Sequence, residues 1–126
     1  MNVGIIGSRA FNDYHLLQDV ISDHLEISEI NSIISGGAKG ADALAEQFAA
    51  ENHIRCSIHK PDWKTYNKAA GIMRNKEIVA DSDILFAFWD GISKGTEHSI
   101  KLAKKSGKTV IVTIFPQAGE NLKPEA

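Results

Sequence analysis

Asn31-Ser32-Ile33-Ile34-Ser35-Gly36-Gly37-Ala38-Lys39-Gly40-Ala41-Asp42 is the stretch that decides the fold. It opens with a short apolar run and passes through a glycine-rich turn. Beyond the turn, Ala41, Leu44, Ala45, Phe48 and Ala49 recur at helical spacing. The order is strand, tight turn, helix N-terminus. Such a junction aims free backbone N–H groups and the positive end of a helix dipole at one point. It predicts an anion-binding loop, and the phosphate of a nucleotide is the biological anion that suits it.

Working outward, four more apolar runs occupy residues 3–6, 55–59, 84–89 and 109–115. Helical patterns separate them. Leu16, Leu17, Val20, Ile21 and Leu25 form one, with Asp13 as its cap. Another covers residues 71–80 after a long loop at 60–70, and a third covers 96–105 and stops at Gly107. Strands alternating with helices predict an α/β fold. We expect a single Rossmann-like, doubly wound parallel sheet of five strands in the order 3-2-1-4-5, with strands one and four meeting at the switch point. Arg55, Ser57 and His59 alternate with Cys56 and Ile58, so the third strand has a wet face and belongs at an edge. The fifth strand is then the other edge, yet it is apolar. A bare apolar edge invites association, so we expect the tail or a second subunit of a homo-oligomer to cover it. Residues 1–116 should form the domain and residues 117–126 a frayed tail.

The chain has 126 residues, enough for one domain with one core. Its net charge of −2 argues against a nucleic-acid partner, because dedicated nucleic-acid binders carry a basic excess. A single cysteine, Cys56, excludes an intrachain disulfide and reads as a small buried residue. The start lacks a signal pattern and no segment approaches membrane-spanning length. A cytoplasmic location and no membrane partner are expected. The histidines at 15, 24, 53, 59 and 98 lack metal-site spacing, so no metal and no required cofactor are expected.

In a sheet of this kind the loops that follow the strands all emerge on one side. That gathers four segments. Gly7-Ser8-Arg9 offers a sharp turn, a hydroxyl and a positive fork suited to phosphate or carboxylate. Ser35, Gly36 and Gly37 allow close backbone approach to a phosphate, with Lys39 either screening it or solvated. Asp42 would repel a phosphate at the helix N-terminus, so it is a structural cap or an acceptor for a ribose hydroxyl. Trp63 and Tyr66 lie in a polar loop, where they stack on a base or cover the end of the domain. Arg74 and Asn75, early in the next helix, either reach the pocket or stay on the surface. Gly91, Ser93, Gly95 and Thr96 form a second cradle, with Thr96 as N-cap. Glu97 in that first turn is explained by the dipole, or else it is catalytic. The turn lacks the Gly-Lys-Ser/Thr ending of a P-loop and the full dinucleotide fingerprint.

Four pieces taken together resemble the SLOG superfamily, named for the DNA-processing Smf/DprA proteins and the Lonely guy enzymes. They are Gly7-Ser8-Arg9-x-Phe11, Ser35-Gly36-Gly37-Ala38-x-Gly40-Ala41-Asp42, Asp62-Trp63 followed by Ala70-Gly71-x-x-Arg74-Asn75, and Trp89-Asp90-Gly91-x-Ser93-x-Gly95-Thr96. The closest resemblance is to the small YspA/YpsA-like branch. It implies a Rossmann-like fold binding nucleotides or nucleotide-derived ligands, with phosphate contacts from Gly36, Gly37 and the Gly95-Thr96 turn. Lonely guy enzymes cleave the N-glycosidic bond of a nucleoside monophosphate, with a motif Pro-Gly-Gly-x-Gly-Thr-x-x-Glu. Here the glutamate position is Ser99, preceded by His98. Glu97 lies about two hundred degrees around the helix from it.

The leading expectation is a non-catalytic binding module for a nucleotide or NAD-derived small molecule, acting as sensor, sink or adaptor. The alternative is a hydrolase of a nucleotide N-glycosidic bond using Glu97 or Asp42 as its acid/base group. A third is a binder of single-stranded nucleic acid.

Overall fold

Val3 and Ile5 send their side chains to one side of the first strand and Ile6 sends its own to the other. The same split recurs in Ile33 against Ile34, and in Ile84, Phe86 and Phe88 against Leu85 and Ala87. Strands that bury both faces read as unbroken apolar runs, and a parallel sheet covered by helices on each side follows. The structure, a computed structural model, describes residues 1–116; the expected frayed tail lies outside them.

The strands are β1 (Asn2–Gly7), β2 (Ser32–Ser35), β3 (Arg55–Ile58), β4 (Ile84–Trp89) and β5 (Thr109–Ile114). All pairs are parallel and the order is β3-β2-β1-β4-β5, as expected. The helices are α1 (Tyr14–His24), α2 (Ala41–Glu51), the single turn α3 (Trp63–Tyr66), α4 (Ala70–Asp81) and α5 (Lys94–Lys105). Leu17 and Ile21 of α1, with Ala45 and Phe48 of α2, pack on the face that carries Ile5 and Phe86. Ile78 and Val79 of α4, with Ile100 and Ala103 of α5, pack on the opposite face.

Asp13 caps α1 as expected, accepting from Leu16 N–H at 3.0 Å. The segment at 60–70 departs from its reading as a loop. Asp62 accepts from Thr65 N–H at 3.1 Å and starts α3, and a 3-10 turn at Asn67–Ala69 leads into α4. Both outer strands are edges. On β5, Val110, Ile111 and Val112 are half-buried and Ile114 is 64% exposed. Among the described residues no helix is long and apolar enough to cross a membrane.

Candidate functional site

The strand order reverses between β1 and β4, and a crevice opens outside their C-terminal ends. Ser8 fixes its back wall. Its N–H donates to Phe88 O at 3.0 Å, carrying the β1–β4 ladder one residue further. Its carbonyl accepts from Phe11 N–H and Ala41 N–H, both at 3.2 Å, which ties the β1 loop to the start of α2. Gly40 makes this junction possible. It has φ +71°, and a Cβ there would lie 2.4 Å from Ser8 O and 2.5 Å from Arg9 O.

The glycine turn is held from inside the protein. Arg74 donates through Nη1 to Gly36 O at 2.7 Å and through Nε to Asn75 Oδ1 at 2.8 Å. Asp42 accepts from Ala38 N–H at 3.1 Å, and its backbone carbonyl accepts from Ser35 Oγ at 3.2 Å. A Cβ on Gly36 would lie 2.5 Å from Arg74 Nη1 and 2.8 Å from Asp42 Oδ2. Glycine at 36 therefore admits the guanidinium and the carboxylate rather than an incoming phosphate. Burial pushes the Asp42 carboxyl up, and Glu46 adds to the rise. The Ala38 N–H and the charges of Arg74 and Arg9 oppose it without cancelling it. Asp42 does not cap α2, whose N-cap is Gly40 with no side-chain bond.

The opposite wall is the β4–α5 turn, organised by Asp90. Its Oδ1 accepts from Ile92 N–H at 2.9 Å and Ser93 N–H at 2.7 Å. Its Oδ2 accepts from Ser93 Oγ at 2.9 Å and Ser8 Oγ at 3.3 Å. Burial pushes the Asp90 carboxyl up, but these hydrogen bonds outweigh it and hold the group below the usual carboxylate range. The N-cap of α5 is Ser93, not Thr96 as expected, and Ser93 makes no side-chain cap bond. The first helical bond runs from Glu97 N–H to Ser93 O at 3.1 Å. The amides of Lys94, Gly95 and Thr96 precede it and have no intrahelical acceptor. With the Ser93 hydroxyl committed to Asp90, the cap residue's side chain leaves these amides unsatisfied.

The resulting crevice encloses about 450 Å³. It brings together Gly7, Ser8, Arg9, Asp42, Arg74, Asn75, Ser93, Gly95 and Thr96. An adjoining compartment of about 490 Å³ is walled by Gly36, Gly37, Lys60, Pro61 and Trp63. Arg9, Ala38 and Arg74 line both, so two guanidiniums stand at the junction. Trp63 is 57% exposed at the outer rim. Ser35 is buried beneath the turn, while Lys39, Tyr66 and Gly91 are exposed and line neither compartment. Glu97 also lines neither and pairs with Lys101 at 3.3 Å on the outside of α5.

Sequence reasoning did not assign ligand roles to Ser99 or Lys60. Ser99 lines the first compartment, is 1% exposed, and its hydroxyl has no hydrogen-bond partner among the described residues. Its place three residues after Thr96, on the same helical face, was the available signal. Lys60 lies two residues past the end of β3, at the same end of the sheet. Among the described residues no three His, Cys, Asp or Glu side chains gather to hold a metal.

Residues 1–66 match the family described as YAcAr: YspA, cpYpsA-related SLOG family. Gene 61 protein of Mycobacterium phage D29 is 36% identical over 114 residues, covering 85% of this chain and 91% of that protein. The fold is similar to DNA processing protein A (DprA) from Streptococcus pneumoniae, with TM-score 0.72 and 20% identity over 88% of this chain. It is also similar to DNA processing protein A from Helicobacter pylori, described for its single-stranded DNA binding mode, with TM-score 0.67 and 24% identity over 89% of this chain. The chain spans 49% and 64% of the lengths of those two structures.

The expectation against a nucleic-acid partner is corrected here, because a protein of this same fold binds single-stranded DNA. The physical reason lies in averaging. Net charge sums the whole surface, whereas binding responds to the local field. Asp19, Asp23, Glu26 and Glu29 lie on or just after α1, while Arg9, Lys60 and Arg74 line the crevice compartments.

Proposed function

The chain belongs to the YspA/cpYpsA-related SLOG family, and on that premise we propose that the crevice between β1, α2 and α5 binds the phosphate of a nucleotide or nucleotide-derived molecule. One observation carries the reading. The first-turn amides of α5 are left without a cap because Asp90 holds the Ser93 hydroxyl, and Arg9 and Arg74 line the same crevice. Amides and dipole favour an anion, and paired guanidiniums match the geometry of phosphate oxygens. The adjoining compartment, with Trp63 at its rim, receives the base or sugar that the phosphate carries. The role is binding rather than chemistry. Glu97 faces outward to Lys101, and Asp42 is engaged with the glycine turn.

A second reading has specific support. Single-stranded nucleic acid would lay successive phosphates along Arg9, Arg74 and Lys60 and stack a base on exposed Trp63. The Helicobacter pylori protein of this fold binds such a strand.

Calorimetric titration with nucleoside mono- and diphosphates, NAD-derived nucleotides and oligothymidylates tests both. Saturable binding of a free nucleotide supports the first reading. Binding confined to oligonucleotides, weakening steeply with salt, supports the second. No binding of any phosphate-bearing probe overturns both. Chromatography of the same mixtures would overturn the binding role if free base appeared at a catalytic rate.

A further inference from the structure

We infer that the floor of the crevice is built for a terminal phosphate, a phosphomonoester, and that Ser99 is the residue that reads it. The inference rests on the proposal that this crevice takes phosphate.

Ser99 and Thr96 lie three residues apart on the same face of α5, and both line the first compartment. Side chains on a helix lean toward its N-terminus. The two hydroxyl-bearing side chains therefore lean toward the amides of Lys94, Gly95 and Thr96. Ser99 is 1% exposed, and its hydroxyl has no partner among the described residues. A buried hydroxyl without a partner is rare, because it forfeits its hydration with no return. It indicates a group that is completed by a ligand.

The chemistry of that ligand follows from depth and donor number. A phosphomonoester presents three peripheral oxygens and a charge of about −1.5 to −2. A diester inside a strand presents two free oxygens and one charge, and its chain must leave in two directions. Helix amides and the Thr96 and Ser99 hydroxyls come from one element. Arg9 and Arg74 come from the others, across the same compartment. A terminal phosphate satisfies that many donors with a single exit, through the adjoining compartment lined by Trp63. The same chemistry occurs in a free nucleoside 5′-monophosphate and at the 5′-phosphorylated end of a strand.

The test compares adenosine 5′-monophosphate with its methyl diester, adenosine and inorganic phosphate, on wild type and S99A, by calorimetry. A second arm compares oligothymidylate with and without a 5′-phosphate. Wild type should prefer the monoester over the diester by about tenfold or more, the scale of one hydrogen bond to a charged group. S99A should weaken monoester binding by a similar factor and erase the preference. Its melting temperature should stay level or rise, because the lost hydroxyl had no partner to lose. In the oligonucleotide arm, binding that requires the 5′-phosphate identifies the strand end as a source. Affinity for the monophosphate alone identifies the free nucleotide.

Equal affinity of wild type for monoester and diester overturns the inference while leaving the crevice a phosphate site. So does S99A that folds and binds the monoester unchanged. S99A that loses affinity together with thermal stability also overturns it, because the hydroxyl is then structural. Absence of binding by monoester, diester and inorganic phosphate alike overturns the underlying reading instead.

Discussion

Asp42 is buried under the glycine turn with its carboxyl raised by that burial, so the folded protein holds the proton more tightly than the unfolded chain does. The stabilisation from this proton is fully present below the unfolded carboxylate range and is lost as pH rises through the raised folded value. D42N retains an acceptor for Ala38 N–H and removes the ionisation. Urea unfolding at neutral pH should show it as stable as wild type or more so, and its anion affinity should rise with the loss of a nearby negative charge. A clear drop in stability would show that the charge itself holds the turn. Asp90 behaves oppositely. Its carboxyl is held below the usual range, so its contribution is present above that range and is lost as pH falls through the lowered folded value. Arg74 joins the two compartments and holds Gly36 O at 2.7 Å. R74M should lower stability by about 1 kcal/mol, the scale of one hydrogen bond at a partly exposed site. It should weaken nucleotide binding by about tenfold or more, measured in the same titrations. At this scale the sequence was legible for residue type and not for purpose. Gly36 is needed for Arg74 and Asp42, partners that arrive from α4 and α2 and that no local pattern announces.

Helix α5 shows how an element is left open at one end. Asp90 draws the Ser93 hydroxyl away from the helix, and that withdrawal exposes the amides of the first turn. D90A should free Ser93 to cap α5 and so place a hydroxyl where the anion would sit. Anion affinity should fall severalfold, and the β4–α5 turn should exchange its amide hydrogens faster because Ile92 and Ser93 lose their acceptor. Unchanged affinity would separate the amides from the site. The helices and strands themselves were readable because burial imposes period. Ile84 to Phe88 are all buried in a central strand, and Thr96, Ser99, Ile100 and Ala103 form one buried face of α5. Helix α3 was not readable. It is one turn of exposed residues with no buried face, and only Asp62 signals its start. From sequence alone Thr96 reads as the cap of α5, because its residue type suits either role, whereas Ser93 holds that position. The diversion of Ser93 to Asp90 depends on a three-dimensional turn.

At the scale of the whole molecule, two surfaces matter. The first is the cationic rim of Lys60, Arg9 and Arg74, which line one compartment together with exposed Trp63. A single net charge conceals it. The variant K60E alters a residue that lines only the second compartment. It should leave binding of a mononucleotide at high salt little changed and abolish retention of oligothymidylate. Each lost phosphate contact should reduce the slope of log affinity against log salt by about 0.7. An unchanged slope would remove the single-strand reading. The second surface is β5, an edge strand of apolar residues with Ile114 largely exposed. Of the two expected covers, the tail and a second copy of the chain, we propose the second copy. Sedimentation velocity should find the wild type above monomer mass and I114K at it. Monomeric wild type would contradict the proposal. The sheet order could be read in advance because the third strand's wet face and the switch point leave few arrangements. The clustering of charge could not, because it depends on where four loops converge.

The most direct test of the central claim is an amide-resolved NMR titration with adenosine 5′-monophosphate. The largest shifts should fall on Ser8, Arg9, Gly95 and Thr96 and on the Arg74 side chain, saturating together, while α1 and β5 stay unmoved. No saturable shift up to millimolar ligand, or shifts centred away from the ends of β1 and β4, would contradict it.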